Sequence, residues 1–263
     1  MSGLTRDALR MTVRPELRDV QMLLAFEGWN DAGQAASSAV RFVDRSIRSA
    51  PLAELDCEEF FDFTVCRPTV RIGEGGARVI EWPHTRFRFG SIDDSREIVV
   101  GWGTEPHLRW QRYCDLVAEL VQTLGVHRVV LLGAYLADVV YSRPVDVTGF
   151  ATPPALLESL RVPSSDYEGP TGIVGALADR LRRDGVEVLS LWAGLPHYIS
   201  ASPNARGALA LVQKLAEWLD LKVDVEPLRL EAARFEERIS ALVANDPELG
   251  EYVRQLKRRE FAQ

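Results

Sequence analysis

The chain has 263 residues, 46% of them hydrophobic and 26% charged, with a formal net charge of −7. A chain of this length buries a sizeable core without disulfides or metals, and its size favours one large domain with an appendage over two equal domains. The acidic balance argues against a general nucleic-acid binder, which shows a basic surplus or stripe, and against docking on anionic lipid.

The basic residues are almost all arginine, with lysine only at 214, 222 and 257. Arginine's planar fork suits phosphate and carboxylate recognition, but these arginines are scattered and fit a G+C-rich coding bias better. Cys57, Cys66 and Cys114 contain no CxxC pair and leave an odd count, the pattern of reduced thiols in a cytoplasmic protein. Met1 to Leu17 is polar and lacks the apolar segment of a secretory signal. No apolar run approaches the roughly 20 residues that cross a membrane. The expected location is therefore cytoplasmic.

In chain order, Val20 to Phe26 is a short apolar run that reads as a buried strand feeding a polar turn, EGWNDAG. Asp31 or Asn30 can cap the small-residue helix that follows. Glu58 to Val65, Thr69 to Ile72, Arg78 to Trp82 and Phe87 to Phe89 read as β-rich hairpins around the turn Gly73–Gly76. Glu97 to Trp102 is another buried strand. Pro106 to Leu124 predicts the clearest helix, with Leu116, Val117, Leu120, Val121 and Leu124 on one face, ended by Gly125. Val126 to Leu132 is a strand buried on both faces and closed by Gly133-Ala134. A helix between two such strands makes a βαβ unit and a largely parallel sheet. Thr171 to Asp184 predicts a helix, Val186 to Trp192 a strand and Pro203 to Leu219 a third helix. Beyond residue 225 the chain is charged and helical, with helices over about 228–244 and 247–261. The domain expectation is a core over 1–225 and a helical extension over 226–263. Its stripe Leu228, Ala232, Phe235, Ile239 and Leu242 faces either the parent core or a second subunit.

The sequence has no P-loop and no nucleophile elbow. Its four histidines, at 84, 107, 127 and 197, have no metal-ligand spacing. No cofactor or metal is expected, and no recognisable motif argues for an enzyme. Four stretches carry candidate chemistry. Glu27, Trp29, Asn30 and Asp31 end a strand, at the edge where α/β sheets bind ligands. They read as a polar site, or as a tight turn with an Asx cap and Trp29 plugging the core. Glu105 and Arg109 open the next helix. Glu105 complements the macrodipole, whereas Arg109 opposes it and calls for a carboxylate partner such as Glu27 or Asp31. Gly169, Thr171 and Gly172 precede a helix whose N–H groups could hold an anion, or Thr171 caps that helix. His197, beside Tyr198, is a candidate acid/base or a surface histidine.

FEGWNDAG (26–33), GTEPHLRW (103–110), LLGAYLADVVYSRPVDVTG (131–149), YEGPTGIVG (167–175) and SLWAGLPHYISASPNARGAL (190–209) run in order along about residues 20–220. Through them the chain resembles the proteasome assembly chaperone 2 family in its form from G+C-rich bacteria. The resemblance implies a three-layer α/β/α sandwich with a mixed sheet, like that of the nucleoside phosphorylase/hydrolase group. It implies a non-enzymatic assembly or interaction protein that self-associates, as a homotrimer, with proteasome subunits or another protein complex as partners. A small-molecule protein or enzyme, binding an anionic ligand at the polar stretches, is the alternative. The ending Arg-Glu-Phe-Ala-Gln263 lacks the hydrophobic-Tyr-X tail that docks into proteasome pockets in eukaryotic and archaeal relatives.

Overall fold

The computed structural model describes residues 8–56 and 58–260. The first seven residues, Cys57 and the tail at 261–263 lie outside the described residues, and with them the expectations for the chain's first residues, for the Cys57 thiol and for the C-terminal ending.

The described chain runs through β1 (Leu9–Met11), β2 (Gln21–Glu27), α1 (Ala35–Ser46), β3 (Ala50–Leu55), β4 (Thr69–Ile72), β5 (Arg78–Glu81), β6 (Thr85–Ser91), β7 (Glu97–Thr104) and α2 (Trp110–Thr123). It continues through β8 (Arg128–Ala137), β9 (Val147–Thr152), α3 (Ala155–Ser159), α4 (Ile173–Arg183), β10 (Glu187–Pro196), α5 (Ala205–Leu219), α6 (Glu226–Asn245) and α7 (Pro247–Glu260). Eight strands form one mixed sheet in the order β1-β3-β6-β7-β2-β8-β10-β9. The four central strands, β7-β2-β8-β10, are mutually parallel. Antiparallel strands flank them on both sides.

The central strands are predominantly apolar because both their faces are covered. Along β2, Leu23 and Ala25 face α1 and α5, whereas Met22, Leu24 and Phe26 face α2 and α4. Alternation of side chains across a strand produces this division. The result is a three-layer α/β/α sandwich. The small residues of α1, among them Ala35, Ala36, Ala39 and Val40, are fully buried and bring that helix close to the sheet and to α5. The apolar stripe of α6 belongs to this same core: Leu228, Ala232, Phe235 and Ile239 are 3–5% exposed and pack with α5. Leu242, expected in the stripe, is 58% exposed instead. On α7, Val253 and Leu256 close over Val140.

Three short strands escaped the sequence reading. β1 has three residues, β3 (APLAEL) has no β-branched residue, and β9 (VTGFAT) is an edge strand carrying a glycine. Conversely, Glu58 to Val65 is turn rather than strand. Asp62 accepts from Thr64 N at 2.8 Å and from Thr64 Oγ1 at 2.6 Å, and such local bonds compete with a strand ladder. The helices expected from 106, 171 and 203 begin at Trp110, Ile173 and Ala205. The strand expected to close at Gly133-Ala134 runs on to Ala137, and the one expected to stop at Trp192 reaches Pro196.

β4 and β5 stand apart as a two-stranded ribbon. Every residue in both strands is exposed. Val70 pairs with Ile80 and Ile72 with Arg78, so Val70, Ile72 and Ile80 share one face. The other face carries the Arg71–Glu81 ion pair at 2.6 Å. At its base Phe63 and Trp82 meet edge to face, with centroids 5.0 Å apart.

Candidate functional site

The EGWNDAG turn leaves β2 at the carboxyl edge of the sheet, beside the end of β7. Glu27 accepts a hydrogen bond from Glu105 N at 2.8 Å through its backbone oxygen, while its side chain pairs with Arg41 of α1. Trp29 is 60% exposed. The expectation that it plugs the core is therefore corrected: the turn carries the indole outward while its neighbours point in.

Asn30 is fully buried, and its Nδ2 donates to Glu105 Oε1 at 2.6 Å. The same carboxylate oxygen accepts from Ile173 N, the first N–H of α4, at 2.8 Å. Glu105 thus supplies the negative charge that a helix N-terminus favours, from a residue 68 positions earlier in the chain. Thr171 does not cap α4. Its hydroxyl is turned to Gly172 O at 3.4 Å, and Gly172 is the N-cap residue. Gly172 is required by close approach, since a Cβ there would collide with the Asn30 amide and lie 2.6 Å from Glu105 Oε1. Gly169 packs under the ring of Tyr167, whose hydroxyl donates to Pro170 O at 3.0 Å.

Asp31, 5% exposed, faces the other way, into α1. Its Oδ1 accepts from Ala36 N at 2.7 Å and from Ser37 N at 3.3 Å, the bonds of a helix cap. Burial pushes its carboxyl above the ordinary value of 3.8 and the Glu27 charge adds to this, against the hydrogen bonds from Ser37 and Ala36.

Arg109 pairs with neither Glu27 nor Asp31. Its Nη1 donates to Glu59 Oε2 at 2.9 Å, and Arg112 Nε reaches the same oxygen at 2.9 Å. The loop that replaced the expected strand at 58–65 brings Glu59 to the start of α2, which answers the demand for a carboxylate. His197, past the end of β10, belongs to another group. Its Nδ1 is 3.0 Å from Asp138 Oδ1. The hydroxyl of Tyr252, on α7, lies 3.3 Å from that oxygen and 3.5 Å from His197 Nε2. Burial and the Asp138 charge both hold the Tyr252 hydroxyl above its ordinary pKa.

The structure therefore brings Asn30, Glu105 and Gly172 together, turns Asp31 and Glu27 toward α1, and sends Arg109 and His197 elsewhere. Sequence reasoning missed Arg41, Glu59, Asp138 and Tyr252. All four sit far along the chain from their partners, with no local spacing to announce them. None of the ten candidate residues lines the cleft of about 360 Å³ beneath α6. The described residues contain no group of three or more His, Cys, Asp or Glu able to hold a metal, and no helix among them is long and apolar enough to cross a membrane. Cys66 and Cys114 are free thiols. Cys114 is buried, and burial pushes its pKa up to about 12.

A family model, described as the PAC2 family, matches residues 25–243. The chain belongs to the PAC2 family. The PAC2 match spans all five motifs that carried the resemblance. A crystal structure of a PAC2 family protein from Streptomyces avermitilis is 41% identical, with a TM-score of 0.83, covering 89% of this chain and 100% of that one. A proteasome-assembly chaperone homologue from Mycobacterium tuberculosis is 37% identical, with a TM-score of 0.80, covering 89% and 99%. The same fold appears in PbaB of Pyrococcus furiosus, an archaeal proteasome activator, at 21% identity and a TM-score of 0.71, covering 89% and 97%. Among curated proteins no match was found.

Proposed function

We propose that this PAC2 chain is a non-enzymatic assembly protein of the proteasome-assembly-chaperone kind, acting in the cytoplasm as a homo-oligomer, with the homotrimer as its working form. In this reading residues 1–225 form the core domain and the extension 226–263 completes its hydrophobic face. Proteasome subunits are the clients. The relationship to the mycobacterial proteasome-assembly chaperone homologue supports the client class.

The observation that carries the reading is the ribbon β4–β5. A two-stranded ribbon is marginal by itself in water, and here Val70, Ile72 and Ile80 are 52%, 77% and 54% exposed on one face. Large apolar side chains clustered on a projecting element mark protein–protein contact. The internal pairing of Glu105 and Asp31 supports the same reading, because their carboxylates already have work in the fold, although the buried Asn30 Oδ1 has no partner among the described residues.

The test uses the full chain and a V70S/I72S/I80S triple variant. Mass in solution is measured by light scattering, and each protein is used to capture partners from its own cytosol for mass spectrometry. The expected result is an oligomer that enriches proteasome subunits, with both properties reduced in the variant. A monomeric wild type that recovers only itself would sink the proposal, as would robust nucleoside turnover lost on Glu27→Gln. Deleting α6 is a poor control, since it would uncover the core face that Phe235 and Ile239 close.

A further inference from the structure

The cleft of about 360 Å³ opens at the C-terminal ends of β8 and β10, beneath α6. Open α/β sheets bind ligands at this edge, and the volume suits a small molecule. Much of its wall is apolar: Val140, Leu195, Ile199, Phe235 and Ile239. Its polar groups decide what it would take.

Asn204 is 4% exposed and borders the cleft. Its Oδ1 caps α5 by accepting from Gly207 N at 3.1 Å. Only the amide oxygen accepts, so this bond fixes the orientation of the side chain. Nδ2 is left with two N–H donors and no acceptor among the described residues. The FEGWNDAG turn holds Asn204 in place. Gly33 accepts from Asn204 N at 2.7 Å, and its φ of +57° and the 2.9 Å that would separate a Cβ from Asn204 Cβ both require glycine. Two residues on, Arg206 keeps its side chain 15% exposed. Its Nη2 donates to Arg143 O at 2.5 Å, and its Nε forms an ion pair with Glu236 Oε2 at 3.5 Å. One end of the cleft thus offers donors. Glu236 sits with these donors as the ion-pair partner of Arg206, Arg143 also lines the wall, and the exposed Asp146 carboxylate has no side-chain partner among the described residues.

We propose that this cleft binds a small zwitterion with an apolar side chain, a free aliphatic or aromatic α-amino acid. Its carboxylate accepts from Asn204 Nδ2 and the Arg206 guanidinium. Its ammonium donates to Asp146, and its side chain lies on Leu195, Phe235 and Ile239. A plain carboxylic acid would leave Asp146 without a cation. The site stands independently of the assembly role.

The probes are L-leucine and L-phenylalanine, titrated into the full chain by calorimetry and ligand-observed NMR. Two leucine fragments accompany them: 4-methylpentanoate, which lacks the ammonium, and isoamylamine, which lacks the carboxylate. The deciding variant is Asn204→Asp, which keeps the capping oxygen but replaces the donor with an acceptor. The expected result is saturable binding of at least one amino acid with Kd of about 1 mM or tighter. The Asn204→Asp substitution should weaken it by about tenfold or more with the melting temperature unchanged, and each fragment should bind about tenfold more weakly. If N204D fails to fold, Arg206→Gln carries the same expectation. The proposal is overturned if neither amino acid saturates by about 10 mM, if a folded N204D or R206Q binds like wild type, or if 4-methylpentanoate matches leucine.

Discussion

The start of α4 and the β4–β5 ribbon treat their side chains in opposite ways. At α4, Glu105 is shared between Asn30 Nδ2 and Ile173 N, with Gly172 leaving room for the contact. On the ribbon, Val70, Ile72 and Ile80 stay in water, with cross-strand partners and little else. Groups that look chemical in the sequence are used inside the subunit, and groups that look like ordinary strand residues are left over for a partner. Polarity alone is therefore a poor guide to which surface acts.

The sharpest way to break that contrast is Glu105→Ala. It strips the acceptor from a fully buried amide and from a helix N–H, so a loss of about 2–4 kcal/mol is expected, read from urea unfolding. A loss under about 0.5 kcal/mol would mean the contact does not hold the subunit. Gly172→Ala comes next. Its methyl would push Asn30 and Glu105 apart, at a cost of about 1–3 kcal/mol, measured the same way. Asp31→Ala removes the cap of α1 and should cost about 1 kcal/mol.

Asp31 also has a pH signature. Its folded-state pKa is raised, so the folded chain holds that proton more tightly than the unfolded chain does. Its contribution is then greatest in acid and declines as pH rises from 3.8 through the folded value. Asp31→Asn keeps the capping oxygen and removes the titration. Relative to wild type, the Asn variant should gain stability as pH rises above 3.8, and a flat difference would refute the burial argument. The smallest stability change belongs to the ribbon. V70S/I72S/I80S should shift the unfolding free energy of the isolated subunit by no more than about 0.5 kcal/mol while lowering the mass in solution. A large loss of subunit stability would place those side chains in the core and erase the contrast.

Much of the fold was legible because periodicity carries it. The apolar runs of β2 and β8 and the helical stripe of α2 declare both element and buried face, whereas the stripe of α6 declared the helix and left its partner open. The lapses are local. Glu58–Val65 has strand-like aromatics, yet Asp62 ties its own loop and Phe60 and Phe61 are buried from a turn. β3 and β9 take their order from neighbours in the sheet. At the candidate site, the Asx cap of Asp31 was readable because it spans five residues. The Glu105–Asn30 contact spans 75 and the Arg109–Glu59 pair spans 50, and no spacing rule reaches that far. The need of Arg109 for a carboxylate was visible in its place on the helix; which carboxylate answered depended on the path of the loop.

The position of β2 has a further consequence, in time rather than in space. Gln21 lies beside Ile98 on one side and Arg128 on the other. At roughly 5–20 residues per second of synthesis, the second neighbour leaves the ribosome on the order of 5–20 s after the first strand. Until β7 emerges, this buried strand has neither of its partners, and until β8 emerges it has only one. Nascent chains stalled before β7 should thus be the most aggregation-prone species this protein passes through.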